Sequence, residues 1–405
     1  MRVYLDHAAT TPITDAALAA YTAELSKLGN PSSLHASGQA ARRRLETARG
    51  EIMHAVGAST PSEIILTSGG TEADNLALKG LYWARRAADP RRRRVLVSGI
   101  EHHAVMDTAE WLESAQGAEI VWLPVGRDGI VDMDAVDAEL ADHADEIALM
   151  SVIYANNETG AVQPIADLTS RAHAHDIPIH TDAVQAFGHL EVDFARLGVD
   201  AMSISAHKIG GPVGIGALVL ARSAVPVPVL HGGGQERSVR SGTLDVAGTV
   251  AFAAAAQDAV QARAAESERL AGLRDSLTAG IAERIPEAEL LGPSDGRTLP
   301  GTAQFVFPGC EGDSLLFLLD AAGIDCSTGS ACQAGVSRPS HVLLAMGFSE
   351  DDARSVLRFS LGRTSTSDDV ERLLTVLPEA WTRAKTAGMV STQGAWRKYS
   401  DGGVK

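Results

Sequence analysis

Residues 203–211 read Ser-Ile-Ser-Ala-His-Lys-Ile-Gly-Gly, and the interpretation of the whole chain starts from this stretch. The apolar run at 201–204 breaks here into small polar residues and a Gly-Gly pair. We predict a buried strand that leaves the amine of Lys208 at the edge of a parallel sheet, where ligands bind in open α/β folds. A lysine there can hold a phosphate, form a Schiff base with an aldehyde cofactor, or simply be solvated.

Strands and helices alternate along the first half of the chain. Near-continuous apolar strands with helices between them indicate a mostly parallel sheet covered on both faces. A long Ala-rich helix over 246–285 follows, and the shorter elements after it indicate a smaller α/β domain. The predicted strands of the large sheet cover residues 63–67, 94–98, 119–124, 147–154, 177–182, 201–205 and 216–221.

Composition excludes several classes of function. The chain has 405 residues and a net charge of −16, which disfavours binding to nucleic acid or to anionic membranes. Three cysteines are too few for a disulfide framework and suit a reducing compartment. The N-terminal residues lack the apolar region of a signal peptide, and no stretch approaches the roughly 20 apolar residues of a membrane span. We therefore expect a soluble, cytoplasmic protein.

Polar residues follow three of the predicted strands. Residues 68–75, Ser-Gly-Gly-Thr-Glu-Ala-Asp-Asn, lead into a helix whose free N–H groups at Gly70 and Thr71 can face a phosphate, or can be an ordinary helix start. Asp182 can pair with a pyridinium nitrogen or cap a helix. Asn157 can donate to a phenolic oxygen or a substrate carboxylate, or can be a turn residue.

Three other segments carry candidate groups outside these strand ends. His102 can stack on a flat ring and move protons, or can be structural. The Gly-rich stretch 231–243, which includes Arg237 and Arg240, can reach an anion across a dimer interface or form a surface loop. Arg358 is a charge in an apolar strand, so it needs a buried anion, either a substrate carboxylate or a salt-bridge partner.

Residues 326–335 read Cys-Ser-Thr-Gly-Ser-Ala-Cys-Gln-Ala-Gly. A cysteine in such a small-residue loop is expected to be exposed and mobile, which favours reactivity. Cys326 and Cys332 can alternatively form a redox pair or ligate a metal. A closed zinc site is not expected, because no second cluster of cysteine or histidine lies nearby in sequence.

The order of these motifs resembles that of the cysteine desulfurases of the NifS/IscS type, in the class V aminotransferase group of fold-type I pyridoxal-phosphate enzymes. The matching motifs are Ser-x-His-Lys, His-Gly-Gly-Gly-x-Glu, Arg-Ser-Gly-Thr and Gly-Ser-Ala-Cys, and the resemblance runs from residue 4 to residue 363. It implies a large cofactor-binding domain at 14–260, with a mostly parallel mixed sheet flanked by helices. A small α/β domain would comprise 1–13 and 261–387 and carry the catalytic cysteine loop, and 388–405 would be a flexible polar tail.

The resemblance also implies roles for individual residues. Lys208 forms the Schiff base with pyridoxal 5′-phosphate and removes the α-proton of the substrate, Cys332 takes the sulfur, and His102 stacks on the ring and shuttles protons. Arg358 and Asn157 clamp the substrate carboxylate. The implied cofactor-binding residues are Gly70, Thr71, His102, Asn157, Asp182, Gln185, Ser205, His207 and Lys208, with the partner subunit's Thr243.

The implied reaction converts L-cysteine to L-alanine and leaves a persulfide on Cys332. The implied partners are a second copy of the chain and a sulfur acceptor, either an iron–sulfur scaffold protein or a component of tRNA thiolation. No resting metal is expected, although Cys332 can transiently ligate an iron–sulfur cluster with a scaffold. Cys326 departs from the family pattern, and we interpret it as a bystander rather than a persulfide relay.

Two alternatives remain open from the sequence. An aminotransferase or a selenocysteine lyase of the same fold would share Lys208 and Asp182 but would not need Cys332. A sulfur-delivery scaffold, in which partner binding matters more than turnover, belongs to a different class of function.

Overall fold

The chain begins with a short strand and two helices that precede the large sheet. A computed structural model describes residues 2–329 and 339–397, with side chains described through residue 386. Strand β1 is Val3–Tyr4, helix α1 is Asp15–Leu25 and helix α2 is Ala36–Val56. Gly57 ends α2 in the left-handed conformation, at φ 68°, and a Cβ there would lie 2.8 Å from the Cα of Asp193. Only glycine fits this turn.

A seven-stranded sheet forms the centre of the first part of the chain, with the strand order β2-β8-β7-β6-β5-β3-β4. The strands from β7 to β4 pair in parallel, whereas β8 is antiparallel to both β7 and β2. The predicted mostly parallel mixed sheet is therefore confirmed. Its strands are β2 (Ile64–Thr67), β3 (Arg94–Ser98), β4 (Glu119–Leu123), β5 (Ile147–Ser151), β6 (Ile179–Asp182), β7 (Ala201–Ser205) and β8 (Gly216–Leu220).

Both faces of this sheet are buried under helices. Alternate residues of one strand enter different cores: Ile64 packs on one face and Ile65 on the other. Strands covered on both faces need apolar residues at successive positions, which is why their sequences show little alternation. The helices between the strands are α3 (Gly70–Ala88), α4 (His103–Gln116), α5 (Met133–His143), α6 (Ile165–Ala174) and α7 (Phe194–Leu197).

Helix α8 (Val246–Arg284) connects two hydrophobic cores. Its first part contributes Phe252 and Ala256 to the core of the large sheet. Its last part contributes Leu277 and Ile281 to a second core, formed mostly by residues after 300. At 1.5 Å per residue, the 39 residues of this helix span about 58 Å, which is long enough to contact both hydrophobic cores.

The second layer contains a three-stranded antiparallel sheet and a short parallel pair. The strand order of the sheet is β12-β10-β9, and β1 pairs in parallel with β11. The predicted domain boundaries stay a prediction. The elements of this layer are β9 (Glu289–Leu290), β10 (Thr302–Val306), α9 (Gly312–Ala321), β11 (Ile324–Asp325), α10 (His341–Ala345), α11 (Glu350–Arg354), β12 (Val356–Ser360) and α12 (Ser367–Arg397).

Helix α12 extends ten residues beyond the end that the sequence predicted, residue 387. Residues 388–397 belonged to the segment expected to be loosely ordered. No proline follows Pro378, and the helix continues through Gly388 and Gly394. Among the described residues, none of the helices combines the length and apolarity required to cross a membrane.

A buried ion pair fixes the Gly-rich loop at residues 231–243 against the large sheet. Both carboxylate oxygens of Glu236 accept from the Arg49 guanidinium at 2.7 Å, and one of them also accepts from the Leu66 N–H at 2.7 Å. Three successive non-glycine residues, Glu236, Arg237 and Ser238, hold left-handed φ angles of 48°, 58° and 60°. Such residues are strained, so the loop depends on this anchor.

Replacing Glu236 by glutamine tests this anchor. The change leaves the buried Arg49 charge without its counter-ion, and we expect the free energy of unfolding to fall by about 3–5 kcal/mol. Urea denaturation followed by circular dichroism measures the loss. The matched control is Glu46→Gln, which removes the half-exposed partner of the same arginine and should cost less than about 1 kcal/mol. Equal small losses in the two variants would contradict the anchoring role.

Candidate active site

Lys208 lies at the carboxyl end of β7, in a single helical turn formed by residues 206–208. Its ammonium donates to the backbone carbonyls of Ala8 and Ala9, the latter at 2.8 Å. The amine therefore reaches the N-terminal segment, which crosses the edge of the large sheet. In the described part of the chain, Lys208 makes no ion pair with an acidic side chain.

The surroundings of Lys208 favour its neutral form. Burial lowers the pKa of the amine from 10.5 to about 8, and the nearby positive charge of Arg358 acts in the same direction. Asp182 and Asp6 partly oppose this shift. A lysine with a pKa near 8 is partly unprotonated near neutral pH, so it can act as a nucleophile or as a base.

Asp182 ends the neighbouring strand β6 and is buried at the same sheet edge. One of its oxygens accepts from the Val184 N–H at 2.8 Å, and no described cationic side chain forms an ion pair with it. Burial raises its pKa to about 6, while the Val184 hydrogen bond and the Lys208 charge counteract the rise. Gln185, one turn further, donates from its side-chain amide to the Ala8 carbonyl at 2.8 Å.

Two buried carboxyl groups near Asp182 were not predicted from the sequence. Glu101 accepts from the Ser98 hydroxyl and from the Ile153 N–H, both at 2.6 Å, while its other oxygen has no partner among the described residues. Burial raises its pKa to about 8. Asp74 on α3 is also buried, and burial together with Asp182 raises its pKa well above the usual value. A carboxylate directly after an apolar residue, as in Ile100-Glu101 and Ala73-Asp74, was the available signal.

The start of α3 is the segment in which the sequence predicted a phosphate-binding site. The N-cap position is Gly69, which has no side chain to accept from the first-turn N–H groups. A Cβ at Gly70 would lie 2.7 Å from the Val184 side chain, so only glycine allows this close approach. Arg240, which the sequence suggested could reach an anion, instead forms an ion pair with Glu72 at 2.7 Å.

Two histidines and a serine lie at or just after the carboxyl ends of β3 and β7, on the same edge of the sheet. His102 is the N-cap of α4 and accepts from the Ala104 N–H at 3.1 Å. The surrounding protein and the Lys208 charge lower the pKa of His102 and that of His207 to about 4, so both rings are neutral at physiological pH. His207 contacts the Thr10 hydroxyl at 3.2 Å, and Ser205 is the last residue of β7.

Arg358 comes to this edge from the second layer, on β12. Its Nη2 donates to the Asp6 carboxylate at 2.7 Å and its Nη1 donates to the Asn157 carbonyl at 2.8 Å, whereas its Nε has no partner among the described residues. The guanidinium is buried, so this free N–H is an unmet donor that a ligand oxygen could satisfy. The salt-bridge partner, Asp6, was missed because it lies 352 residues away in sequence.

The remaining predicted residues lie apart from this cluster or outside the described residues. Thr243 is exposed at the end of the Gly-rich loop. Cys332 lies outside the described residues. Cys326 was expected to be exposed, and this expectation is wrong: its thiol is free but buried in the second core, beside the strand pair formed by β1 and β11.

The arrangement combines groups that suit a phosphorylated aldehyde and an α-amino acid. A lysine with a lowered pKa and a buried carboxylate without an ion pair lie at one sheet edge, beside a helix N-terminus that favours phosphate. A buried arginine with a free donor suits a substrate carboxylate. These groups come from both layers of the molecule.

Comparison with known proteins agrees with this description. The sequence model of the aminotransferase class-V family matches residues 3–373. An IscS-like cysteine desulfurase of Mycobacterium tuberculosis is 53% identical over 388 residues, which are 96% of this chain and 98% of that protein. The solved structure of a NifS-like protein superposes with a TM-score of 0.86 at 34% identity, covering 94% of this chain and 100% of that one. SspA in complex with cysteine gives 0.75 at 34% identity, with 89% and 99% covered.

The lowered pKa of Lys208 can be tested in protein freed of small molecules. Reductive methylation with formaldehyde modifies only neutral amines, so labelling of Lys208 should be half-maximal near pH 8. Mass spectrometry of the peptide that contains residue 208 measures the labelled fraction at each pH, with a Lys208→Arg variant confirming the assignment of the peptide. A midpoint close to the ordinary value of 10.5 would contradict the description of the site.

Proposed function

Because the chain belongs to the class-V aminotransferase family, as an IscS/NifS-like cysteine desulfurase, we propose that Lys208, Asp182 and Arg358 form the centre of its active site. Enzymes of this family use pyridoxal phosphate, and cysteine desulfurases pass sulfur from cysteine to acceptor molecules. The observation that carries the proposal is that the half-buried Lys208 and the buried Asp182 lie at one sheet edge, where neither makes an ion pair with a described side chain. Removing charged groups from water without an ion-pair partner costs free energy, and a bound ligand would supply that partner.

The residues at this edge fit pyridoxal 5′-phosphate. Asp182 would pair with the ring nitrogen, and the helix start at Gly70 and Thr71 would hold the phosphate together with Ser205 and His207. Gln185 and Asn157 would form hydrogen bonds with the phenolic oxygen of the cofactor, and His102 would stack on its ring. When bound, the cofactor supplies an electron sink that stabilises negative charge at the substrate α-carbon.

Arg358 and Asn157 would orient the substrate. The buried Arg358 Nε has no described partner, and a carboxylate oxygen of L-cysteine would satisfy it. The Asn157 carbonyl accepts from Arg358 at 2.8 Å, and the Asn157 side-chain amide would donate to the same carboxylate. The substrate would thus be held by its carboxylate, with its α-proton directed towards Lys208.

Lys208 would act as the base. Its pKa of about 8 allows the freed amine to take the α-proton of the substrate near neutral pH and to return a proton later in the cycle. The carbonyls of Ala8 and Ala9 accept from the Lys208 ammonium, so they would stabilise the protonated form after the transfer. His102 is held neutral and would serve as a proton carrier between the ring and the substrate.

Cys332 would receive the sulfur. Its thiolate would attack the substrate sulfur while the bond from that sulfur to the β-carbon breaks. The new sulfur–sulfur bond gives a persulfide on Cys332, and the three-carbon product takes up a proton to leave as L-alanine. One thiol and one cysteine thus give one persulfide and one alanine, with no external oxidant or reductant.

The wider setting follows from the same proposal. The chain would act in the cytoplasm as a homodimer in which Thr243 helps to bind the cofactor phosphate of the other subunit. The exposed position of Thr243, on a loop that Arg49 and Glu236 anchor, supports this role. The large domain would span residues 14–260, and the sulfur would pass to an iron–sulfur scaffold protein or another acceptor.

An anaerobic assay with L-cysteine tests the reaction. Wild-type protein should form alanine and, with a reductant, an equal amount of sulfide, whereas Cys332→Ala should lose sulfide release to background. Cys326→Ala is the matched control and should retain activity, because its buried thiol lies in the second core. Unchanged sulfide release in Cys332→Ala would contradict the proposed role of Cys332. A 2-oxo acid formed in place of alanine would indicate transamination instead.

Asp182→Asn tests the role of the buried carboxylate. Loss of the negative charge should lower the turnover number for cysteine by roughly 100-fold or more, because the ring nitrogen would lose its counter-ion. Lys208 should still bind the cofactor, and the visible absorption band of the cofactor would report this binding. Asp137→Asn removes a surface carboxylate, paired with Arg171, and should leave turnover unchanged. Full turnover in Asp182→Asn would refute the assignment.

A further inference from the structure

We propose that Asp6 is a positioning residue of the active site, which aims the Arg358 guanidinium at the substrate carboxylate and offsets its positive charge beside Lys208. The inference rests on the proposed roles of Arg358 and Lys208 and adds a third residue to them. Asp6 belongs to a stretch, Tyr4-Leu5-Asp6, for which sequence analysis assigned no chemistry.

Two contacts orient the Arg358 guanidinium from opposite sides. Asp6 binds its Nη2 at 2.7 Å, and the Asn157 carbonyl binds its Nη1 at 2.8 Å. The arginine side chain is only 4% exposed, whereas that of Asp6 is 21% exposed. Because a guanidinium is planar and rigid, these two bonds determine where its remaining Nε–H points.

Asp6 itself is held firmly by the backbone around it. It forms a parallel bridge with Ser360 of β12, two residues beyond Arg358. Its carbonyl accepts from the Ala9 N–H at 3.0 Å and from the Tyr4 hydroxyl at 3.1 Å. The backbone that carries the Asp6 carboxylate is therefore placed by the sheet pairing and the following turn, and these contacts do not involve the arginine side chain.

The same pair influences the lysine. The positive charge of Arg358 lowers the pKa of Lys208 and the negative charge of Asp6 raises it, so the two effects partly cancel. The other charged and titratable groups that interact with Lys208 are Asp182 on β6, which raises its pKa, and the histidines His102, His189 and His207, whose own pKa values are lowered. Without the Asp6 charge, only Asp182 would oppose the effect of Arg358 on the pKa of the lysine.

A purely structural role for Asp6 predicts different results from a positioning role. Arg2, four residues earlier, forms an ion pair with Asp325 on β11, which fixes the same N-terminal strand on its exposed side. Asp325→Asn therefore removes a carboxylate that anchors the N-terminal segment but does not contact Arg358. It is the matched control for Asp6→Asn.

The test uses the cofactor-loaded enzyme and compares Asp6→Asn, Asp6→Glu and Asp325→Asn with wild type. We expect Asp6→Asn to raise the KM for L-cysteine, and the dissociation constant of the product L-alanine, by about tenfold or more, with a smaller change in kcat. Alanine binding is followed through the cofactor absorption band. Asp6→Glu should recover part of the affinity, and Asp325→Asn should keep wild-type values.

A second readout needs no turnover. In cofactor-free protein, formaldehyde labelling of Lys208 should have a lower pH midpoint in Asp6→Asn than in wild type, because one of the two carboxylates that oppose the Arg358 charge is lost and the neutral amine is favoured. Unchanged KM, alanine affinity and labelling midpoint in Asp6→Asn would overturn the proposal. Equal effects of Asp6→Asn and Asp325→Asn would also overturn it, since they would show that Asp6 only stabilises the N-terminal segment.

Failure of this inference is distinguishable from failure of the proposed function. If wild-type protein releases no alanine and sulfide, the proposed function fails first. If wild type is active and Arg358→Lys raises the KM while Asp6→Asn does not, the substrate-binding role of Arg358 stands and only the role of Asp6 is refuted.

Discussion

The structure holds a half-buried lysine and a buried carboxylate at one sheet edge without an ion pair between them. Lys208 is satisfied by two backbone carbonyls, and Asp182 by a backbone N–H. Neutral or weakly polar partners of this kind leave each group able to change its charge or to accept a new partner, which a direct salt bridge would prevent. Burial raises the pKa values of the neighbouring acids Glu101 and Asp74, which disfavours a second negative charge beside Asp182.

The N-terminal segment links the two layers of the molecule at this point. Residues 6–10 provide an acceptor for Arg358, two for Lys208, one for Gln185 and a hydroxyl contact for His207. None of these residues has a conspicuous chemical function by itself. Their importance comes from the path of the backbone, which passes from β1 in the second layer across the edge of the large sheet.

Local patterns were sufficient to predict the large sheet and to select the sheet edge at which the candidate site residues lie. Apolar runs such as Ala201–Ser205 coincide with observed strands because both faces of the sheet are buried. A strand end followed by glycine predicted that Lys208 and Gly70 lie at the edge where ligands bind in open α/β folds, and both residues lie at that edge. The pairs Asp6–Arg358 and Arg49–Glu236 could not be predicted, since their members are 352 and 187 residues apart. Cys326 was misjudged for a related reason: its small polar neighbours suggested exposure, whereas the pairing of Ser327 with Arg358 carries it into a core.

The pairing of β1 with β11, and of Asp6 with Ser360 of β12, has a consequence for how the protein is made. Residues 3–6 leave the ribosome more than 300 residues before their partners at residues 324–325 and 360. At about 5–20 residues per second, the first strand waits for some tens of seconds while the large sheet can already fold. The sheet edge that carries Lys208 can thus form early but remains incomplete, and Arg358, Asp6 and Lys208 come together only after β12 has been translated.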